Sequence, residues 1–174
     1  MPTLIKSRRL VDEGDAWRIL EQDEPLPESD AIILPWDRWI LEWPGLAERK
    51  PDTLGILVDG DVPIQELGPQ ASRVAMIALS FPTLADGRCY SHARLLRSVY
   101  GYRGELRAVG DVQHDQLSYM ERVGIDSFLF AGDSSEATEA LAAFDAFSAH
   151  YQNDEAPRLP RFKRRVSATT PVES

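Results

Sequence analysis

The stretch Leu54-Gly55-Ile56-Leu57-Val58-Asp59-Gly60-Asp61 decides the fold. Its apolar run lacks the in-out alternation of a half-solvated strand, and the Asp-Gly-Asp that follows is turn chemistry. A strand apolar on both faces belongs in a parallel sheet covered on both sides. The same unit recurs outward along the chain. Upstream lies Ala31-Ile32-Ile33-Leu34, stopped by Pro35; downstream lie Val74–Leu79, Glu105–Val109 and Ser127–Phe130. Between them, apolar residues fall at helical spacing: Ile64, Leu67 and Ala71; then Leu95, Leu96 and Val99; then Leu117, Met120 and Val123. A last amphipathic run follows, with Ala137, Ala140, Leu141, Phe144, Phe147 and Tyr151 on one face. Strands alternating with helices imply βαβ units. The pattern predicts an α/β domain over residues 1–154 with a five-stranded, mainly parallel sheet. An open doubly wound sheet is favoured. A partial (β/α) barrel is the alternative, because periodicity fixes the units and not their closure.

The two ends of the chain read differently. Leu4-Ile5, Leu10-Val11 and Trp17–Leu20 flank Asp12-Glu13-Gly14-Asp15, which predicts an N-terminal β-hairpin within residues 1–20, turning at that acidic run. Residues 155–174 contain Arg158, Arg161, Lys163, Arg164 and Arg165 with Pro157, Pro160 and Pro171, and read as a basic, disordered tail. Trp36, Trp39 and Trp43 share one face of a helix expected over 36–49. Such a stripe forms core, or an apolar patch for a partner.

Charge and cysteine content narrow the function. The 174 residues carry 19 Lys+Arg against 28 Asp+Glu, a net −9. Five of the basic and two of the acidic residues fall in the tail, so residues 1–154 stand at −12. A body this acidic has no field to draw it onto nucleic acid or an anionic bilayer. No apolar run approaches the ~20 residues of a membrane span. Met1–Lys6 lacks the apolar core of a signal peptide, so a cytoplasmic location is expected. The single cysteine, Cys89, excludes an internal disulfide and any iron–sulfur ligation by this chain alone. Self-association stays open.

Ligands of parallel sheets bind beyond the carboxyl ends of the strands. That edge collects Asp59, Asp111 and Asp133. Neighbouring carboxylates could hold a cation, but the simpler role for Asp111 and Asp133 is helix capping, and no metal is expected. The richer feature is Asp86-Gly87-Arg88-Cys89-Tyr90-Ser91-His92-Ala93-Arg94-Leu95-Leu96-Arg97, where a loop opens a helix. Helix N-termini welcome anions. Gly87, Arg88, Ser91, Arg94 and Arg97 are the candidate anion-binding residues, with Asp86 and Tyr90 in support. Arg88, Ser91, Arg94 and Arg97 fall three residues apart. The bland alternative is that the arginines pair with surface carboxylates such as Glu105 or Glu121. Cys89 and His92 lie three residues apart and could form a nucleophilic pair, although a lone cysteine is more often a small buried apolar residue. No dinucleotide fingerprint, phosphate loop or His-x-x-x-His pair is present.

The blocks Phe81–Arg97 and Gly104–Val112, with Asp115-Gln116-Leu117, resemble an uncharacterised bacterial family. Its members are often labelled as oxidoreductases involved in sulfite reduction and are encoded beside sulfite reductase. The likeness runs over most of residues 30–150. Asp86, Gly87, Arg88, Tyr90, Ser91, Arg94 and Arg97 match the family's pattern directly, while Cys89 stands where the family usually has glycine. The resemblance implies an accessory protein of assimilatory sulfite reduction, with a sulfite reductase component as its partner. Sulfite reduction uses siroheme and an iron–sulfur cluster, and one cysteine cannot ligate such a cluster, so the chain is not a stand-alone reductase. An enzyme binding a small oxyanion, and a non-catalytic assembly protein, are the alternative readings.

Overall fold

Each of the five runs from Ala31 onward becomes a strand and is followed by a helix, and the three N-terminal runs become strands without one. A computed structural model of the chain describes residues 3–11, 15–83, 86–130 and 134–146. The strands are β1 (Thr3–Lys6), β2 (Arg9–Val11), β3 (Trp17–Ile19), β4 (Ala31–Pro35), β5 (Leu54–Val58), β6 (Met76–Phe81), β7 (Glu105–Gly110) and β8 (Ser127–Phe130). The helices are α1 (Trp36–Leu46), α2 (Ile64–Gln70), α3 (Arg88–Ser98), α4 (Leu117–Arg122) and α5 (Ser134–Ala146). All eight strands form one sheet, in the order β2-β1-β8-β7-β6-β5-β4-β3. Strands β3 to β8 are parallel; β1 runs antiparallel to β8, and β2 antiparallel to β1.

Two expectations about strands are corrected. The parallel set has six strands, not five. The sixth is Trp17–Ile19, which pairs with β4 through Trp17↔Ala31 and Ile19↔Ile33 instead of closing a hairpin. The hairpin itself turns at Ser7-Arg8, where both residues have positive φ (50° and 60°), as a two-residue type I′ turn requires. The Arg8 guanidinium grips the Glu121 carboxylate with two bonds of 2.7 and 2.6 Å and lies 5.3 Å from the Phe144 ring centre. These contacts fix a turn that no glycine marks. Residues 12–14, where the turn was expected, lie outside the described residues, as do Asp133 and the tail 155–174.

The favoured doubly wound arrangement is corrected as well. Such sheets reverse their strand order at a switch point, whereas β3 to β8 ascend without reversal. Right-handed crossovers then place the helices on one face. The sheet must also curl. Laid flat, its two edge strands would stand about 34 Å apart at ~4.8 Å per strand. Yet β2 and β3 are joined by residues 12–16 alone, a link that reaches roughly 22 Å at full stretch. Asp15, just before β3, accepts a hydrogen bond from Arg107 on β7, four strands away across the inner face. The architecture is a curled, eight-stranded, mostly parallel sheet with helices.

The alternation of the strands divides the core accordingly. Ile32, Leu34, Ile56, Ile77, Leu79, Leu106 and Phe128 face the helices in one large cluster. Ile33, Met76, Ala78 and Val109 pack on the inner face with Trp17, Leu57 and Leu129. A Cβ on Gly55 would meet Ile33 at 3.1 Å and the Trp17 ring at 3.3 Å, so glycine lets Trp17 lie across the inner wall. The tryptophans of α1 are core: Trp36 and Trp39 are buried, and Trp43 stacks 4.9 Å from Trp39 under the Arg73 guanidinium. They form no surface patch; the exposed apolar residues of α1 are Ile40 and Leu41. Among the described residues no helix is long and apolar enough to cross a membrane.

Candidate functional site at the carboxyl ends of the strands

Inward-facing residues alternate along a strand, so Pro35 and Leu57, which pair across β4 and β5, share the inner face with Ser80, two residues beyond the Ala78 that pairs with Leu57. They line a cleft of about 450 Å³ together with Trp36, Val62 and Pro63. Its remaining walls are Asp37, Asp59, Asp61 and Glu66, all exposed, and among the described residues no basic side chain lines it. In closed β/α barrels this carboxyl-terminal mouth is where ligands bind. A second cleft, about 630 Å³, opens beside β7 and β8 and is lined by Gln113, His114, Phe130, Glu136 and Glu139 among others.

Two turns of like sequence interlock at the rim of the first cleft. Asp59-Gly60-Asp61 follows β5, and Asp86-Gly87-Arg88 opens α3. Asp59 Oδ1 accepts the Asp61 N–H at 2.9 Å and closes the first turn. Asp86 Oδ1 accepts the Arg88 backbone N–H at 3.2 Å, which places a carboxylate at the helix N-terminus. The same carboxylate takes two bonds from the Arg88 side chain, Nε at 3.0 Å and Nη2 at 2.8 Å. Nη1 of Arg88 donates to Asp61. The guanidinium crosses Gly60 so closely that a Cβ there would lie 2.5 Å from Nε. Hydrogen bonds from Arg88 hold the Asp86 carboxyl down at about 2, and the two carboxylates hold Arg88 well above its ordinary range.

The neighbouring residues of α3 divide between interior and surface. Cys89 is buried and its thiol donates to the Ser80 carbonyl at 3.2 Å. Burial, with Asp86 and Asp59 nearby, pushes it up to about 12. It is therefore a neutral thiol at pH 7, without the thiolate that a nucleophile needs. His92 is buried as well; its Nδ1 has no partner, and burial lowers its pKa. Tyr90 packs between Phe81 and Tyr119, with ring centres 5.0 Å from each, and burial raises its phenol. Gly87, Ser91 and Arg94 are exposed.

Arg97 is far from the helix start. Nine residues along a helix is about 13 Å. There its Nε donates to the Gly124 carbonyl (2.9 Å), its Nη1 to those of Tyr102 and Gly104 (2.8 and 2.9 Å), and its Nη2 to Asp126 (2.9 Å). The stripe of four thus splits: Arg88 and Ser91 stand near the mouth, and Arg97 ties the opposite end of α3 to the loops after α3 and α4. Of the strand-end acids, Asp59 borders the mouth, and Asp111 accepts a hydrogen bond from Gln113. Among the described residues no group of three or more His, Cys, Asp or Glu side chains is placed to hold a metal.

Sequence reasoning did not pick out Asp37, Asp61, Glu66 and Ser80 as site residues. The repeated Asp-Gly-x after consecutive buried strands was the available signal for Asp61, because it puts two acidic turns side by side once those strands pair. No curated protein and no solved structure matches the chain significantly. Residues 55–162 match the family model described as bacterial protein of unknown function (DUF934), and the chain belongs to that family.

Proposed function

We propose that this chain is an accessory protein of assimilatory sulfite reduction, acting with a sulfite reductase component rather than turning over sulfite itself. One observation carries the accessory part of this reading: the two most reactive side chains at the start of α3 are spent on internal contacts. Arg88 is held by Asp61 and Asp86, and Cys89 is a neutral thiol under the Ser80 carbonyl. What remains open to solvent is an acidic cleft with an apolar floor, suited to binding a partner through charge and shape. The link to sulfite rests on the resemblance of the blocks that form β6, α3, β7 and the start of α4. Recovery of a sulfite reductase component with the tagged chain from sulfate-grown cells, lost on raising the salt, is the expected outcome. Normal expression with no such component recovered overturns the reading.

Small-oxyanion binding is a second reading, favoured by one feature of Arg88. Asp86 fixes the Nε and Nη2 edge, while the Asp61 side chain at Nη1 is 80% exposed and free to swing away. An oxyanion that displaces Asp61 would meet an arginine already oriented, beside Gly87 and Ser91 at a helix N-terminus. Calorimetric titration of wild type and Arg88→Ala with sulfite, sulfate and phosphate tests it. Binding that falls about ten- to a hundredfold in the variant supports the site. Equal binding, or none in wild type, removes it.

A further inference from the structure

We propose that the basic segment Arg158-Leu159-Pro160-Arg161-Phe162-Lys163-Arg164-Arg165 of this same chain docks in the acidic mouth between β4, β5 and β6. The inference rests on the cleft and the sequence, and stands whether or not a reductase is the partner. The cleft has an apolar floor, Pro35, Leu57 and Val62, beneath four exposed carboxylates, Asp37, Asp59, Asp61 and Glu66. Arg88, at the rim, is already offset by Asp61 and Asp86. The segment presents the complement: five cations interleaved with Leu159 and Phe162. The cleft sets negative charge around an apolar floor, and the segment carries positive charge together with two large apolar side chains, the complementary composition of a specific interface.

The chain is long enough to make the contact. Helix α5 runs away from the mouth: late in the helix, the Phe144 ring lies 5.6 Å from Phe128 and close to Arg8, beside the amino-terminal end of β8. From Ala146, the last described residue, twelve residues lead to Arg158. Fully extended they span about 40 Å. A domain of this length has a radius of gyration of about 16 Å, so that span crosses the whole body. Occupancy by the tail would make it an internal competitor for whatever else enters the mouth.

Paramagnetic broadening in the full chain tests this directly. A nitroxide attached through Ser167→Cys goes onto the tail alone, because Cys89 is buried and protonated. The expected result is broadening of the Leu57, Asp59, Asp61 and Glu66 amides several-fold beyond that of Ser72, Gly101 and Arg103 at the opposite edge. It should vanish near 1 M salt, where the Debye length is about 3 Å, and in Arg161→Glu/Arg164→Glu/Arg165→Glu. Broadening that is absent, that is equal at both edges, or that survives charge reversal overturns the proposal. So does broadening carried between chains when spin-labelled protein is mixed with isotope-labelled, spin-free protein, since that assigns the contact to a second copy.

Discussion

Arginines paired with carboxylates stand at both ends of the curled sheet, and their surroundings differ. At the amino-terminal end, Arg107 is 3% exposed and points inward. It donates to Glu105 (2.9 and 2.7 Å), to Ser127 (3.0 Å) and to Asp15, while Lys6 reaches the other Glu105 oxygen at 2.6 Å. At the carboxyl-terminal end Arg88 is 53% exposed, and one of its partners is more exposed still. The first pair holds strands four apart together; the second holds two surface turns. A buried charge network that closes a sheet is architecture, whereas a half-exposed one at the ligand edge can exchange a partner for a ligand. Barrels divide in the same way, stability at the amino-terminal face and chemistry at the carboxyl-terminal face.

The sharpest way to break that contrast is to truncate each arginine in turn. Arg107→Ala leaves Glu105 with Lys6 as its remaining charged partner and cuts the tether to Asp15. Breaking a buried pair costs about 3–5 kcal/mol where the partner is left uncompensated; Lys6 still offsets Glu105, so the loss should lie near the low end, at about 3 kcal/mol. Urea unfolding should show that loss, with a decreased m-value if the sheet opens before it unfolds. A variant as stable as wild type would mean the curl is held by Trp17 and the apolar inner wall alone.

Arg97 sharpens the comparison within one helix. It shares α3 with Arg88 but is only 10% exposed and satisfies three backbone carbonyls besides Asp126. Burial outweighs the pull of Asp126 and draws its pKa below the ordinary arginine value. Arg97→Ala should destabilise by about 2–3 kcal/mol, the cost of stranding buried acceptors. Arg97→Lys should recover only part of it, since an ammonium cannot span that fork of carbonyls. A loss of ligand or partner binding in Arg97→Ala that is unmatched by lost stability would place Arg97 in the site after all.

The contrast also explains which parts of the molecule were legible in the sequence. The strands β4, β5, β6 and β8 are largely apolar runs, and β7 keeps Leu106, Ala108 and Val109 around Arg107, so local pattern is enough to find them. Trp17–Ile19 has three residues and no pattern that separates a hairpin strand from a parallel edge strand; its pairing with Ala31–Ile33 is a long-range fact. Curl was not legible either, because it depends on accumulated twist and on contacts such as Asp15–Arg107, 92 residues apart. At the site, Asp86 and Arg88 are two residues apart and their pairing is a local matter. Asp61 lies 27 residues from Arg88 and meets it only after β5 and β6 pair. Three-residue spacing links neighbours along α3, but it drifts about 60° per step, so Arg97, nine residues after Arg88, stands on the opposite side of the helix as well as far along its axis.

A smaller effect separates His92 from the surface residues around it. Burial depresses its pKa, and the charged groups that reach it are Asp59 and Asp86, which raise it, and Arg88, which lowers it. The unfolded chain therefore takes up a proton near the ordinary histidine value of 6.5 before the folded chain does. Where the unfolded state binds more protons, stability rises with pH. The His92 contribution is thus complete above that value and falls away as the pH drops below it. His92→Gln should flatten the stability profile between about pH 7 and 5 relative to wild type. An unchanged slope would show that His92 titrates normally and that water reaches its Nδ1.

The smallest expected change lies at the exposed pair. Arg88→Ala removes a surface contact whose charges are screened by solvent, so the urea midpoint should stay close to that of wild type. The Asp86 carboxyl should move nonetheless. Its main restraint is the Arg88 side chain, which holds it at about 2 against an ordinary 3.8. Without the guanidinium it keeps the backbone N–H bond alone and should climb most of the way back. A carboxyl with a depressed folded pKa adds stability above its ordinary pKa, and that contribution is lost as the pH falls toward the folded value. Wild type should therefore lose a small part of its stability between about pH 4 and 2 that Arg88→Ala never had. Side-chain NMR titration of Asp86 in both proteins reads the shift without needing any ligand. If Asp86 titrates alike in the two, the pairing is absent in solution, and Arg88 is available to whatever enters the mouth.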